Sequence, residues 1–435
     1  MSSPDPRDYI KWFRSTSPYI NNHRNKTFVI AFGGEAVNHK NFDHVIHDIA
    51  LLASLGIRLV LVHGARPQIN QRLQQQQISS QFAQNRRITD QQSLPGVLEA
   101  IGHVRIQIEA LLSMGVANSP MHGAALRVAS GNMITARPHG IHEGIDFQHT
   151  GEIRKINTEA IQQSLNHNAI VLLSSLGYSP TGEVFNLAWE DVGEKTAIAL
   201  EADKFILLTE EEGLLDAHQQ LIRELTTKEA QQLLTPGNQQ NIPLHAAINA
   251  CQQGVNRSHF ISFQQDGALL QELFSHDGSG TLLSHDDYEQ IRTANIDDIG
   301  GILELIAPLE RDGILVRRSR ELLESGIGQF TITERDGMII ACSALNPFSN
   351  EHCGELSCVA VHPDYRQAQR GDQLLYHIEK QARSLGLTQL FVLTTQTAHW
   401  FIERGFKNAS LEILPKSKQS LYNYQRNSKA FIKTL

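Results

Sequence analysis

The stretch CGELSCVAVHPDYRQAQRGDQLL (353–375) decides how the chain is read. Its first half is a short apolar run with strand character, broken by Pro363 and Asp364. A helix begins at about Gly371, carrying Leu374 and Leu375. A strand, an irregular loop and a helix start, in that order, leave backbone N–H groups free at the loop and in the first helical turn. The helix dipole there favours anionic oxygens such as those of a pyrophosphate. Period-two alternation puts Glu355 and Ser357 on one face of the strand and Leu356 and Cys358 on the other.

Working outward, the neighbours form a hairpin-rich unit. IRTA (291–294) reads as a strand, and Asn295 or Asp297 can cap the helix that carries Ile299, Ile302, Leu303 and Ile306. FTITER and MIIACSAL flank Asp336-Gly337, a strong hairpin signal. ELSCVAV (355–361) and LTQLFVLT (387–394) are further strands, with a helix between them from about Arg370 to Leu385. Ala398 to Arg404 is a short helix. Hairpin strands mixed with a few helices predict a compact α+β domain of roughly 150 residues.

The first two thirds follow another grammar. TFVIAF (27–32) runs into Gly33-Gly34, a helix-periodic segment spans Phe42 to Leu55, and Gly56 ends it. IRLVLV (57–62), AIVLLSS (169–175), KFILLTE (204–210) and SHFISF (258–263) are buried runs, each followed by helix-compatible sequence. Such alternation predicts an α/β/α sandwich around a mostly parallel sheet. Pro6 to Asn22 is a short amphipathic segment, and Gln74–Gln77 reads as a solvated helix end.

The chain has 435 residues, 41% of them hydrophobic and 19% charged, enough for two or three packed domains. A net charge of −8 argues against a nucleic-acid footprint. No apolar run approaches the roughly 20 residues that span a bilayer, and the polar start carries no signal-peptide core. Four cysteines do not make a disulfide framework in a chain of this length. The expectation is a cytoplasmic protein without membrane or nucleic-acid partners.

The 361–375 loop resembles the acetyl-CoA loop of the GNAT acetyltransferases, whose pattern is Arg/Gln-x-x-Gly-x-Gly/Ala. Arg366 opens it and Gly371 closes it, while Gln369 stands where the middle glycine is usual. HWFIERGF (399–406) resembles the family's next element, a short helix flanking the cofactor arm. In that fold the strand before the loop splays from its neighbour, and its amides face the thioester carbonyl. The resemblance implies that Cys358, Val359, Val361, Arg366, Gln369, Arg370, Gly371, Asp372 and Trp400 bind acetyl-CoA. Cys358 reads as packing rather than as an acylated nucleophile. His352, Cys353, Cys358 and His362 lack the paired spacing of a zinc site, so no metal is expected.

GILVRRSRE (313–321), the CGE strand, LFVLTT (390–395) and YNYQRNSK (422–429) resemble the bacterial N-acetylglutamate synthase family, and the resemblance runs over nearly the whole chain. It implies acetyl transfer to L-glutamate, the first step of arginine biosynthesis. Glu355 matches the proposed general base, Thr394 a hydroxyl proposed to protonate the departing thiolate, and Arg318 and Arg426 the guanidiniums that hold substrate carboxylates. Planar Arg forks suit a dicarboxylate.

FGGEAV (32–37), VHGARPQIN (62–70), NRRITD (85–90), FNLAWEDVGEKTAIAL (185–200) and ILLTEEEGLLD (206–216) resemble the amino-acid kinase family, in order. The kinases carry a lysine where this chain has Ala31, consecutive glycines where it has Gly64-Ala65-Arg66, an aspartate where it has Glu210, and a second lysine near Pro243. Phosphoryl transfer is mostly charge stabilisation, so ATP chemistry is not expected. Arginine-sensitive members share positions that fall here on Tyr19, His259, Glu272 and Gly278. Allosteric binding of L-arginine and a homohexamer follow from the resemblance. The expected division is an N-terminal interaction helix (1–25), a kinase-like regulatory domain (26–283), a linker (284–290) and a GNAT domain (291–435). The rival readings are an acetylglutamate kinase, a non-catalytic arginine sensor with a decayed transferase domain, and a GNAT enzyme acting on protein lysines.

Overall fold

The structure, a computed structural model, describes residues 6–115, 120–216, 218–234, 241–275, 278–285, 289–335, 337–366, 370–420, 422–423 and 426–435, with backbone alone at 6–9, 11, 12, 15 and 364. The chain forms two compact units, Met1–Asp286 and Asp287–Leu435.

Apolar runs without polar interruption need cover on both faces, and the first unit supplies it. Its strands are β1 (Thr27–Phe32), β2 (Arg58–His63), β3 (Arg127–Ala129), β4 (Ala169–Ser174), β5 (Lys204–Thr209), β6 (Glu224–Thr226), β7 (Arg257–Ser262) and β8 (Thr281–Ser284). They form one sheet in the order β6-β8-β7-β5-β1-β2-β4-β3. All neighbours run parallel except β7 and β8, which are antiparallel. Every residue of β1 is buried. Phe28, Ile30 and Phe32 enter one core and Val29 and Ala31 the other, so alternation feeds two helical layers. Helix α1 (Pro6–His23) is anchored where His23 Nε2 meets the Leu273 carbonyl at 2.9 Å. Helix α2 (Phe42–Ser54) packs Val45, Ile46 and Ile49 into the first core, and Gly56 takes φ +86° past its end. Helices α3 (Arg66–Gln75), α4 (Leu94–Leu112), α5 (Trp189–Ala199), α6 (Asn241–Gln252) and α7 (Ala268–Phe274), with the further helices Gly34–Asn38, Thr158–Asn166 and Thr227–Gln232, complete the layers. Gln74 to Gln77 are exposed at the end of α3.

A second, four-stranded sheet was not foreseen. It comprises Val184–Asn186, Leu176–Tyr178, Ile134–Pro138 and Gly151–Ile156. The run 169–174 is therefore followed by a hairpin, not by a helix: Gly182 turns it at φ +90° before α5 begins.

The second unit is a seven-stranded sheet. Its strands are β9 (Gln290–Thr293), β10 (Phe330–Arg335), β11 (Met338–Phe348), β12 (Cys353–Val361), β13 (Gln389–Thr394), β14 (Lys407–Ala409) and β15 (Lys429–Thr434), ordered β9-β10-β11-β12-β13-β15-β14. Only β12 and β13 pair in parallel. Gly337 makes the β10–β11 turn at φ +73°. Asn295 caps a 3₁₀ turn, Ile296–Asp298, in a reciprocal capping box, and this turn runs into α8 (Ile299–Arg311). Helices α8 and α9 (Arg320–Gly326) share a core with one face of the sheet, and α10 (Arg370–Ser384) and α11 (Ala398–Glu403) with the other.

Candidate functional site

Strands β12 and β13 pair through Cys353↔Gln389, Gly354↔Leu390 and Glu355↔Phe391. Both then continue, to Val361 and Thr394, each paired with its neighbour on the far side but no longer with each other among the described residues. A parallel pair that parts midway leaves a wedge-shaped gap with one strand's backbone edge along it. Backbone groups left so must find another partner, and a bound ligand can supply one.

At the same place β12 carries a bulge. Ser357 pairs with Ala344 and Ala360 with Cys342, so Cys358 and Val359 together face the single residue Ser343. Cys358 absorbs the extra residue at φ +54°, in the left-handed region. This overturns the simple alternation expected from the sequence. Leu356 enters the core of α10 with Leu375 and Ile378, whereas Cys358 joins Ala360 in the core of α8. The bulge therefore turns Cys358 to the α8 side, away from Leu356. Cys358 is 4% exposed and belongs to a cluster made mostly of aliphatic side chains, which suits packing.

Glu355 stands at the vertex of the gap, its side chain 9% exposed. Its Oε2 lies 2.8 Å from Lys418 Nζ, on the short helix α12 (Lys416–Gln419). Across β11 its partner is Asn346, whose Nδ2 donates to Ser357 Oγ at 3.0 Å. Thr394 ends β13, buried. Its Oγ1 accepts from the Thr397 amide at 3.2 Å and lies 2.9 Å from Thr397 Oγ1. Lys418 went unnoticed in the sequence, where nothing ties residue 418 to residue 355.

Around the loop the residues separate into two groups. Val359 and Val361 are half-buried along β12, and Arg366 is exposed. Arg370 is engaged within the protein: its Nε reaches Glu289 at 2.7 Å, its Nη1 the Tyr365 carbonyl at 3.2 Å, and its guanidinium lies over the Tyr365 ring. Arg335 joins the same carboxylate at 3.1 Å. Asp372 is held by Arg404, which also lies 4.2 Å over the Trp400 ring. A Cβ on Gly371 would stand 3.0 Å from the Trp400 indole, so the helix start and Trp400 approach as closely as a glycine allows. Gln369 lies outside the described residues. What the loop offers a phosphate is therefore the backbone at the start of α10 and Arg366, more than the side chains of Arg370 and Asp372.

Arg318 and Arg426 come to one segment. Arg426 Nη2 donates to the Ile314 carbonyl at 2.5 Å and Arg318 Nη1 to the Val316 carbonyl at 3.3 Å. The Arg318 amide is held by Glu310 at 2.8 Å.

Comparison with known proteins follows the same outline. The Amino acid kinase family matches residues 26–262, over half the chain, and the Acetyltransferase (GNAT) family matches residues 302–406. An amino-acid acetyltransferase of Azotobacter vinelandii is 56% identical over 99% of this chain and 100% of its own length. That of Pseudomonas aeruginosa is 55% identical over 98% and 100%. The chain belongs to the amino-acid acetyltransferase family. It is accordingly an acyltransferase with a kinase-like unit joined to a GNAT unit. Among solved structures, N-acetylglutamate synthase from Neisseria gonorrhoeae complexed with coenzyme A and L-arginine has a TM-score of 0.90 at 36% identity, covering 98% of this chain and 99% of that one. The same synthase complexed with coenzyme A and N-acetyl-glutamate has a TM-score of 0.63 over the same shares.

In the kinase-like unit of this acetyltransferase a second charged cluster is buried. His259 Nδ1 lies 2.8 Å from Glu272 Oε1, and Lys204 Nζ lies 3.3 Å from His259 Nε2. The amides of Ser279 and Gly280 donate to Glu272 Oε2 at 2.7 and 2.9 Å. Gly278 passes beside that carboxylate at φ +63°, where a Cβ would stand 2.5 Å from Oε2. Burial, with Lys204 beside it, lowers His259 to about 4. Burial alone would raise Glu272, but the hydrogen bonds from His259 and the two amides hold it down at about 2. A neutral imidazole thus donates Nδ1–H to a carboxylate and accepts from an ammonium at Nε2. Three of the four residues expected to bind arginine meet here. Tyr19, half-buried on α1, packs against the core that holds α7.

The kinase-like unit holds a cavity of about 180 Å³, lined by Glu35, Arg66, Arg86, Arg87, Trp189 and Glu190 among others. The Trp189 indole closes over Gly64, where a Cβ would stand 2.5 Å from the ring, and Ala31 is fully buried. Among the described residues His139, His142 and Glu152 bring possible metal-ligand atoms within 4.8 Å. Glu152 is already shared by His139 Nδ1 at 2.7 Å and Arg137 at 3.0 Å, which accounts for the group as an ion pair across a hairpin. No helix among the described residues is long and apolar enough to cross a membrane.

Proposed function

We propose that this amino-acid acetyltransferase moves the acetyl group of acetyl-CoA to the α-amine of L-glutamate, giving N-acetylglutamate and CoA. The observation that carries the reading is the buried Glu355 at the vertex of the parted strands. It puts a carboxylate base beside an unpaired backbone edge suited to a thioester carbonyl. Glu355, directly or through one water, takes a proton from the substrate ammonium. The freed amine attacks the thioester carbon, the edge of β12 at Val359 and Val361 receives the carbonyl oxygen, and the C–S bond breaks. The second proton lost from nitrogen balances the thiolate, with Thr394 as the group that passes it. One proton is released per turnover. Arg318 and Arg426 hold the two substrate carboxylates. Arg366, Gln369, Gly371 and Trp400 hold the coenzyme, with Cys358, Arg370 and Asp372 shaping its bed.

The first unit is the regulator in this reading, with residues 26–283 sensing L-arginine and 291–435 carrying the chemistry. Glu272 takes the guanidinium, with His259, Gly278 and Tyr19 around the ligand, and activity falls. The exposed Ile10 and Phe13 on α1 suit pairing between subunits in a cytoplasmic homohexamer. The test is a thiol-release assay with acetyl-CoA and a panel of amino acids, with and without arginine. Activity on glutamate alone, reduced by arginine, is expected. Activity on a different amino acid, or none, would overturn the reading.

A further inference from the structure

A carboxylate that is to take a proton from an ammonium should stand ready in the free enzyme, yet Glu355 is already occupied. Lys418 Nζ sits 2.8 Å from its Oε2. A side chain only 9% exposed keeps little hydration, and a charged carboxylate so placed needs a cation. What supplies it is a primary ammonium with three N–H donors on a tetrahedral nitrogen, the same group that the amino-acid substrate brings. The lysine side chain itself is 29% exposed. It hangs from the four-residue helix α12, so its stem has a way out to solvent. Other carboxylates of this unit have either a planar guanidinium with two contacts, as Asp298 has in Arg292, or two cations, as Glu289 has in Arg335 and Arg370 and Glu379 in Lys433 and Arg383. Among the described residues Glu355 has a single lysine, a cation that can leave without breaking a fork of bonds.

We infer that Lys418 is a displaceable stand-in for the substrate ammonium, a positioning residue that fills the acceptor site of the free enzyme and competes with the incoming amine. The inference rests on Glu355 being the base of the reaction proposed above. It makes the apparent affinity for the amino acid a difference between two ammonium groups on one carboxylate.

The competition separates ligands that carry an ammonium from ligands that do not. In Lys418→Met the KM for glutamate should fall roughly fivefold, the worth of one partly exposed ion pair. Inhibition by 2-oxoglutarate, a dicarboxylate of similar length without the ammonium, should keep its wild-type constant. Lys418→Arg restores a cation and should bring the KM back toward the wild-type value. A KM that is unchanged or higher in Lys418→Met overturns the inference, as does an equal shift for both ligands, which would mark Lys418 as a carboxylate contact. If the wild-type enzyme acetylates another amino acid, the glutamate reading fails separately. That amino acid and its 2-oxo analogue then carry the same comparison.

Discussion

Glu355 and Phe391 are the last residues to pair before β12 and β13 part. The pairing fixes the backbone of Glu355, the proposed base, while the gap opens one residue further along. Position and proton transfer are thereby separable. Glu355→Gln keeps the size and the register but cannot take a proton. Turnover should fall by about 10²–10⁴, while coenzyme A affinity by calorimetry stays within about threefold. Equal losses in both would remove Glu355 from the chemistry and leave it a structural part.

The bulge at Cys358 makes a second prediction. A side chain at φ +54° is strained, and a β-branched one more so. Cys358→Val should destabilise the transferase unit by about 1–3 kcal/mol in urea unfolding and weaken coenzyme binding. Cys358→Gly, which takes this conformation freely, should bind coenzyme as the wild type does. A valine variant as stable as the parent would mean that the bulge relaxes without cost.

Arg318 and Arg426 converge on residues 314–316 from two distant parts of the chain. Replacing either by lysine keeps the charge and removes the planar fork. The KM for glutamate should rise by roughly 10- to 100-fold, a loss of about 1.4–3 kcal/mol, with a smaller change in kcat. A kcat loss at constant KM would place these residues in the transition state instead.

His259 gives a pH dependence with a definite sign. Its folded value of about 4 lies below the ordinary histidine range, so the folded state binds fewer protons than the unfolded chain between about pH 6.5 and 4. Its contribution to stability is full above pH 6.5 and is lost as the pH falls through 4. Between pH 7 and 4.5 the loss is on the order of 2 kcal/mol. His259→Gln can still donate to Glu272 but cannot be protonated. Its unfolding free energy, followed by denaturant titration at both pH values, should therefore fall less than that of the wild type. Equal falls would show that another group carries the acid sensitivity.

Local patterns carried much of this fold. The β10–β11 hairpin, the cap at Asn295 and the helix after Gly371 all lie within a few residues of the signals that announced them. Pairing over long distances did not show. The bulge at Cys358 exists because β11 supplies one residue against two, and no property of CVAV alone reveals it. β15 slots between β13 and β14, and the Lys418 contact depends on where the segment after residue 410 is led back. The small sheet built from 134–186 was hidden because its strands are short and half-exposed, with too little apolar alternation to stand out. Motif order points to the candidate site, and only the assembled sheet shows what touches Glu355.

The indole of Trp400 against Gly371 has a practical consequence. The chain has three tryptophans: Trp12 in α1, Trp189 in the kinase-like unit, and Trp400 beside the start of α10. Each unit's candidate pocket thus carries its own fluorophore. With Trp12 and Trp189 changed to phenylalanine, the remaining emission comes from beside Gly371, at the start of α10. Quenching or a colour shift on adding coenzyme would then follow occupancy in real time, with no label attached.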